Sequence, residues 1–115
     1  MEERKVIAYG DYFTEFISSL KEYESRKIFY VLDMLKTGAR VTTKFVKYIR
    51  DGLYELRIEY AGNIYRIFFC FDSGNLVVLF HGFQKKTKKT PLGEIEKALN
   101  LMKEYYESKS KSSKR

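Results

Sequence analysis

Residues 52–71 read Gly52-Leu53-Tyr54-Glu55-Leu56-Arg57-Ile58-Glu59-Tyr60-Ala61-Gly62-Asn63-Ile64-Tyr65-Arg66-Ile67-Phe68-Phe69-Cys70-Phe71. Two runs rich in aromatic and β-branched residues flank Ala61-Gly62, the pattern of a β-hairpin closed by a tight turn. With Ala61 and Gly62 as the loop, Tyr60 pairs with Asn63 and the register follows back along both strands. Tyr54 then faces Phe69, Leu56 faces Ile67 and Ile58 faces Tyr65, so one side of the hairpin is wholly apolar. The other side sets Glu55, Arg57 and Glu59 against Phe68, Arg66 and Ile64. A slip of one residue would drive Arg66 among the apolar rows, so burial selects this register.

The register places Arg57 directly opposite Arg66. Opposed cations destabilise a strand pair, and two readings stay open. Glu55 and Glu59 neutralise them diagonally on a solvated face, or the pair forms an anion site, since guanidiniums suit phosphate oxygens. The chain then turns through Asp72-Ser73-Gly74-Asn75 into Leu76-Val77-Val78-Leu79-Phe80-His81-Gly82-Phe83. Pairing Phe71 with Leu76 predicts Phe69 opposite Val78, Ile67 opposite Phe80, and Arg66 beside His81. A row Arg57–Arg66–His81 would cross three strands, and the basic run Gln84-Lys85-Lys86-Thr87-Lys88-Lys89 follows at once.

Upstream, Lys5–Tyr9 reads as a short first strand ended by Gly10. Asp11 is placed as the N-cap of a helix reaching about Tyr23, with Tyr12, Phe13, Phe16, Ile17 and Leu20 as its buried stripe. A second helix is predicted from about Ser25 to Lys36, stopped by Gly38. This helical hairpin needs an apolar partner, and the apolar side of the sheet is the obvious one. Residues 39–52 read as a connector with a short strand near Phe45-Val46. Thr90-Pro91 predicts the start of a last helix, with Thr90 as N-cap and Leu92, Ile95, Leu99, Met102 and Tyr106 as its stripe. The expected class is α+β: an N-terminal strand and helical hairpin packed on a three-stranded antiparallel meander, followed by a C-terminal helix.

A chain of 115 residues can bury one core without staples, and its 44% hydrophobic content is a globular value. Residues 1–107 are expected to form a single domain and residues 108–115 a basic disordered tail. One cysteine, Cys70, excludes an internal disulfide framework and fits a reducing cytosol. One His and one Cys do not supply the usual soft metal-ligand set, so no metal or other cofactor is expected. The first residues lack an apolar targeting segment and no run is long enough to span a membrane, which predicts a cytoplasmic protein with no membrane partner.

The net charge is +7, and four of the positive charges lie in residues 108–115, leaving +3 for residues 1–107. Lys85, Lys86, Lys88 and Lys89 alone account for +4, so the basicity is local. Concentrated basic patches favour a polyanionic partner.

Gly52–Arg57, Tyr65–Phe69, the block Leu-Phe-His-Gly-Phe-Gln-Lys-Lys-Thr-Lys-Lys-Thr-Pro at 79–91 and Glu94–Ala98 together resemble the HigB-like, phage-derived branch of the RelE/ParE toxin superfamily. The resemblance spans roughly residues 5–107. It implies a compact α+β toxin of a type II toxin-antitoxin system that cleaves mRNA, usually on the translating ribosome. A cognate helix-turn-helix antitoxin would silence it, and operator DNA would be met only through the antitoxin complex. In RelE-like ribonucleases, basic residues of the meander strands and the following loop act at the scissile phosphate. The matching positions here are Arg57, Arg66, and Lys85 or Lys86.

RNA cleavage without a metal uses the 2′-hydroxyl as nucleophile and needs its activation, stabilised phosphoryl oxygens and a protonated leaving oxygen. Arg57 and Arg66 suit the second task. Lys85 or Lys86 could supplement them or protonate the leaving group. His81 is either an acid or base or a hydrogen-bonded structural histidine. Glu55 and Glu59 could serve as base, although related toxins often carry a lysine where Glu55 stands. Tyr60 and Tyr65 could stack a nucleobase. Lys44, Lys47, Lys88 and Lys89 are either solvated surface or contacts to ribosomal RNA. Two rival functions keep the fold: a ParE-like toxin that poisons gyrase by binding, and a degenerate nucleic-acid-binding module.

Overall fold

The structure is a computed structural model that describes residues 3–38, 44–86 and 88–113. Five strands, β1 (Lys5–Ala8), β2 (Val46–Arg50), β3 (Leu53–Tyr60), β4 (Asn63–Asp72) and β5 (Leu76–Lys85), form one sheet in the order β1-β5-β4-β3-β2. β1 runs parallel to β5 and every other pair is antiparallel. Three helices complete the α+β fold: α1 (Tyr12–Ser18), α2 (Glu22–Lys36) and α3 (Leu92–Ser113). The meander therefore has four strands where three were expected. Residues 46–50 are the added one, because Tyr48 pairs with Tyr54 at a ring separation of 5.2 Å and extends the sheet.

The β3–β4 hairpin has the expected register, from Tyr54 opposite Phe69 to Tyr60 opposite Asn63, with Arg57 opposite Arg66. Ala61 and Gly62 both have positive φ, 53° and 80°, the twist that a two-residue turn needs to keep its strands paired. The β4–β5 register departs from expectation. The tighter turn pairs Asp72 with Leu76 and Phe69 with Leu79, and a bulge then advances the register so that Ile67 faces Gly82 and Arg66 faces Phe83. A slip of one position exchanges the faces of a strand. Val77 and Leu79 thus enter the first core, whereas Val78 and Phe80 enter the second.

The first core lies between the sheet and α1 and α2: Leu56, Ile58, Tyr65, Ile67 and Phe69 pack against Phe13, Phe16, Ile28, Val31, Leu32 and Leu35. The second core fills much of the face expected to be solvated. There Leu53, Phe68, Cys70 and Phe80 pack against Ala98, Leu101 and Met102 of α3. Consequently α3 buries a stripe rotated from the expected one, leaving Leu92 and Tyr106 exposed.

Local boundaries also shift for chemical reasons. α1 ends at Ser18 rather than near Tyr23, where the Ser19 hydroxyl and amide both bond the Phe16 carbonyl. α2 starts at Glu22 because the Glu24 carboxylate accepts the Lys21 amide hydrogen at 2.9 Å. Asp11 occupies the N-cap position of α1 without a side-chain cap bond. α3 continues through Ser113, so the helix runs on into residues 108–113 of the expected tail. Residues 39–43 of the expected connector and 114–115 of the expected tail lie outside the described residues. Among the described residues no helix is long and apolar enough to cross a membrane.

Candidate active site

Where α3 lands on the sheet decides which polar residues stay accessible. The helix joins the sheet at two points close to its N-terminus: Thr90 Oγ1 donates to Glu55 Oε1 at 2.6 Å, and His81 Nε2 lies 3.4 Å from Glu94 Oε1. Glu55, Phe68 and His81 thus lie under the start of the helix, all buried. Strand residues beyond that row, Arg57, Ile64, Phe83 and Lys85, are half-buried, and Phe83 still packs against the second core. Thr90 was expected to cap α3; its hydroxyl bonds Glu55 instead, while the Pro91 carbonyl accepts from the amides of Glu94 and Ile95.

Arg57 and Arg66 face each other as expected, but their surroundings differ. Arg66 is 2% exposed, with one terminal nitrogen donating to the Tyr65 carbonyl at 3.0 Å and its Nε 3.5 Å from Glu55 Oε1. That Nε has no hydrogen-bond partner among the described residues. Burial lowers the Arg66 pKa, the Glu55 carboxylate opposes the shift, and the Arg57 charge adds to it. Glu55 itself is 1% exposed, so the solvated-face reading does not hold for this carboxylate or for its arginine. Arg57 remains half-buried, and its backbone amide bonds the Phe45 carbonyl at 2.6 Å.

Two lysines complete the group. Lys47 pairs with Glu55 across the β2–β3 ladder, and Lys85 pairs with Ile64 across the β4–β5 ladder. Partial burial lowers the Lys85 pKa, and the charges of Arg66, Arg57 and Lys47 push the same way against Glu55. Four cations therefore converge about one buried carboxylate, an arrangement suited to a bound polyanion.

His81 does not join the arginine row: Phe83 takes the position opposite Arg66. The bulge turns His81 under α3, 4% exposed, with its ring 5.1 Å from that of Phe68. Burial lowers its pKa, Lys97 lowers it further, and Glu94 opposes both. The ring packs against Phe68, and neither of its nitrogens has a hydrogen-bond partner among the described residues, so the hydrogen bond expected of a structural histidine is not seen. Tyr65 is likewise removed from base stacking, because it is wholly buried and its hydroxyl donates to Glu24. Tyr60 is 38% exposed. Lys86, Lys88 and Lys89 lie exposed on the loop before α3, and Lys44 lies exposed 5.5 Å from the Phe45 ring centre. Thr87 lies outside the described residues. Among the described residues no three His, Cys, Asp or Glu side chains come together in a way that could hold a metal ion.

Comparison with known proteins adds one finding. The family model described as "Phage derived protein Gp49-like (DUF891)" matches residues 15–103, which include both arginines, the lysine loop and most of α3. No curated protein matches the chain.

Proposed function

The chain belongs to the Gp49-like family of phage-derived proteins, a RelE/toxin-like family, and from that premise we propose that it is a metal-independent endoribonuclease of HigB type. It cleaves mRNA as the toxin of a type II toxin-antitoxin pair. The observation that carries this reading is the opposed pair Arg57–Arg66 with Lys85 and Lys47 beside it, of which Arg57 and Lys85 are half-buried and Lys47 is exposed.

In this reading the 2′-oxygen of the substrate bonds to the adjacent phosphorus as the bond to the 5′-oxygen breaks, giving a cyclic phosphate and a free 5′-hydroxyl. Arg57 and Lys47 hold the phosphoryl oxygens, where charge accumulates. Arg66, buried behind them, supplies field rather than contact. Lys85 gives the leaving 5′-oxygen its proton, a role favoured by the partial burial and the cationic neighbours that lower its pKa. Glu59, exposed beside Arg57, takes the proton of the 2′-hydroxyl. Glu55 is unsuited to that step because Thr90 and Arg66 already occupy it. The exposed Lys86, Lys88 and Lys89 fit contacts to ribosomal RNA phosphates. A cognate helix-turn-helix antitoxin neutralises the toxin in the cytoplasm.

The test is translation-coupled mRNA cleavage mapped by primer extension, comparing wild type with Arg57→Ala. Discrete cuts that disappear in the folded variant support the reading. A toxic wild type that makes no cuts and induces DNA damage replaces it with a gyrase-directed toxin.

A further inference from the structure

The periodicity of α2 carries two stripes. One, Glu24, Ile28, Val31, Leu32 and Leu35, is buried. The other, Tyr23, Arg26, Lys27 and Tyr30, recurs at i, i+3, i+4 and i+7 and stays at the surface. Such spacing normally marks a face that packs against something. Tyr23 is 44% exposed and Tyr30 60%, and Tyr60 from the β3–β4 turn joins them at 38% with its ring 5.9 Å from that of Tyr23. Lys27 Nζ lies 5.3 Å from the Tyr30 ring centre. These five side chains line a shallow depression of about 210 Å³.

Lys27 also stands in the wall of a second cleft, of about 360 Å³, lined further by Lys44, Phe45, Glu59 and Arg57. Lys27 is thus a wall common to both depressions. Arg57 lines the larger, and three exposed tyrosine rings line the smaller on the α2 side. Three cations against one carboxylate line the larger, while Arg26 in the smaller is paired with Glu22 at 2.8 Å. Cations that follow a backbone, leading to aromatic faces on which bases can stack, are the composition of a single-strand binding surface. An acidic peptide would meet the cations, but open aromatic faces beside a cationic track favour bases that stack.

We infer that Tyr23, Tyr30 and Tyr60, reached from Arg57 through Lys44 and Lys27, form a stacking shelf for the single-stranded RNA that flanks the cleaved phosphate. The shelf rests on the ribonuclease reading for its substrate class, and it sets affinity for unpaired RNA without base-edge readout. Duplex RNA, with its bases stacked on one another, is not held there.

The test is fluorescence anisotropy of the full chain with a labelled 2′-O-methyl oligouridylate, which lacks the nucleophile and so reports binding apart from cleavage. Tyr30→Ala and Tyr23→Ala are each expected to weaken binding about fivefold or more, whereas Tyr30→Phe keeps its ring and binds within about twofold of wild type on the same stacking argument. Lys27→Ala is expected to reduce the slope of log affinity against log salt by about 0.7. Thermal melts of each variant establish that it is folded. Unchanged affinity in both alanine variants, equal loss in Tyr30→Phe and Tyr30→Ala, or no saturable binding by wild type would overturn the shelf. If tyrosine-dependent binding persists while wild type cuts no mRNA, the ribonuclease reading fails and the RNA surface stands. Cleavage without any tyrosine effect on binding removes the shelf and leaves the ribonuclease reading in place.

Discussion

Thr90 donates its hydroxyl hydrogen to Oε1 of Glu55 at 2.6 Å, the same oxygen that faces Arg66 Nε at 3.5 Å. The segment that leads into α3 is thereby fastened to the buried carboxylate behind the cationic site. Replacing Thr90 by Val keeps the shape and removes the donor. A hydrogen bond to a charged group contributes about 1.5–3 kcal/mol, and Thr90→Val is expected to lose that much stability. Urea unfolding measures it, and Thr90→Ser should recover most of the loss. Equal midpoints for wild type and Thr90→Val would show that water replaces the hydroxyl without penalty.

The two arginines should behave differently although they face each other. Arg66→Ala leaves the Glu55 carboxylate buried beside an uncharged methyl group, and removing one partner of a buried ion pair costs about 3–5 kcal/mol. Arg57 is half-buried and keeps contact with solvent, so Arg57→Ala should unfold at nearly the wild-type urea concentration. Its deficit should appear as lost mRNA cleavage. Arg57→Ala protein that is as unstable as Arg66→Ala would contradict the assigned environments.

His81 gives stability a pH dependence with a definite sign. Its folded pKa lies below the ordinary 6.5 because burial, first, and Lys97, second, disfavour the imidazolium, with Glu94 opposing. The unfolded chain therefore binds the extra proton more readily. The associated stability is complete above about pH 6.5 and is lost as pH falls from there toward the folded pKa. The carboxyls of Glu24 and Asp72 are held below 4.5 and 3.8, so their own losses come at more acidic pH. Urea midpoints measured from pH 7.5 to pH 5 should fall for wild type. In His81→Phe, which fills the site against Phe68 and Phe83, they should stay nearly flat across that interval.

Much of this architecture is legible in the chain because its two strongest signals are local. Alternation along 54–60 and 63–69 states which side chains go together, and Ala61-Gly62 states where the strands reverse, so the Arg57–Arg66 pair follows. The third strand carries no such information. Residues 76–80 are apolar on both faces because α2 and α3 cover opposite sides of the sheet, and a run without alternation does not reveal its register. The bulge that sends His81 beneath α3 has no local signature beyond Gly82. Burial of Glu55 and Arg66 depends on where α3 lands, a long-range fact that residues 52–71 do not contain. Tyr23 and Tyr30 are hidden by their helix: read for one apolar stripe, α2 conceals a second that stays in solvent.

Ala61 adopts φ 53° at the first position of the hairpin turn, a conformation its Cβ disfavours. Asn tolerates that region better, since its side chain can bond locally. Ala61→Asn is therefore expected to stabilise the protein by about 1 kcal/mol, read as a higher urea midpoint with an unchanged slope. A lower midpoint would show that the turn is held in another conformation in solution.

Gly82 marks where α1 meets the sheet. It pairs with Ile67 directly after the bulge, and a Cβ added there would stand 2.5 Å from Phe16 Cδ2 and 2.7 Å from Phe16 Cε2. Contacts that short require the ring or the strand to move. Phe16 belongs to the first core and is 9% exposed, leaving the ring little room. Gly82→Ala is expected to cost about 1–3 kcal/mol through overpacking. Shortening the obstructing side chain should return part of that loss: Gly82→Ala combined with Phe16→Leu should be more stable than the sum of the two single changes allows. Additive effects would mean that the two residues do not touch, and would place the packing of α1 on β5 elsewhere.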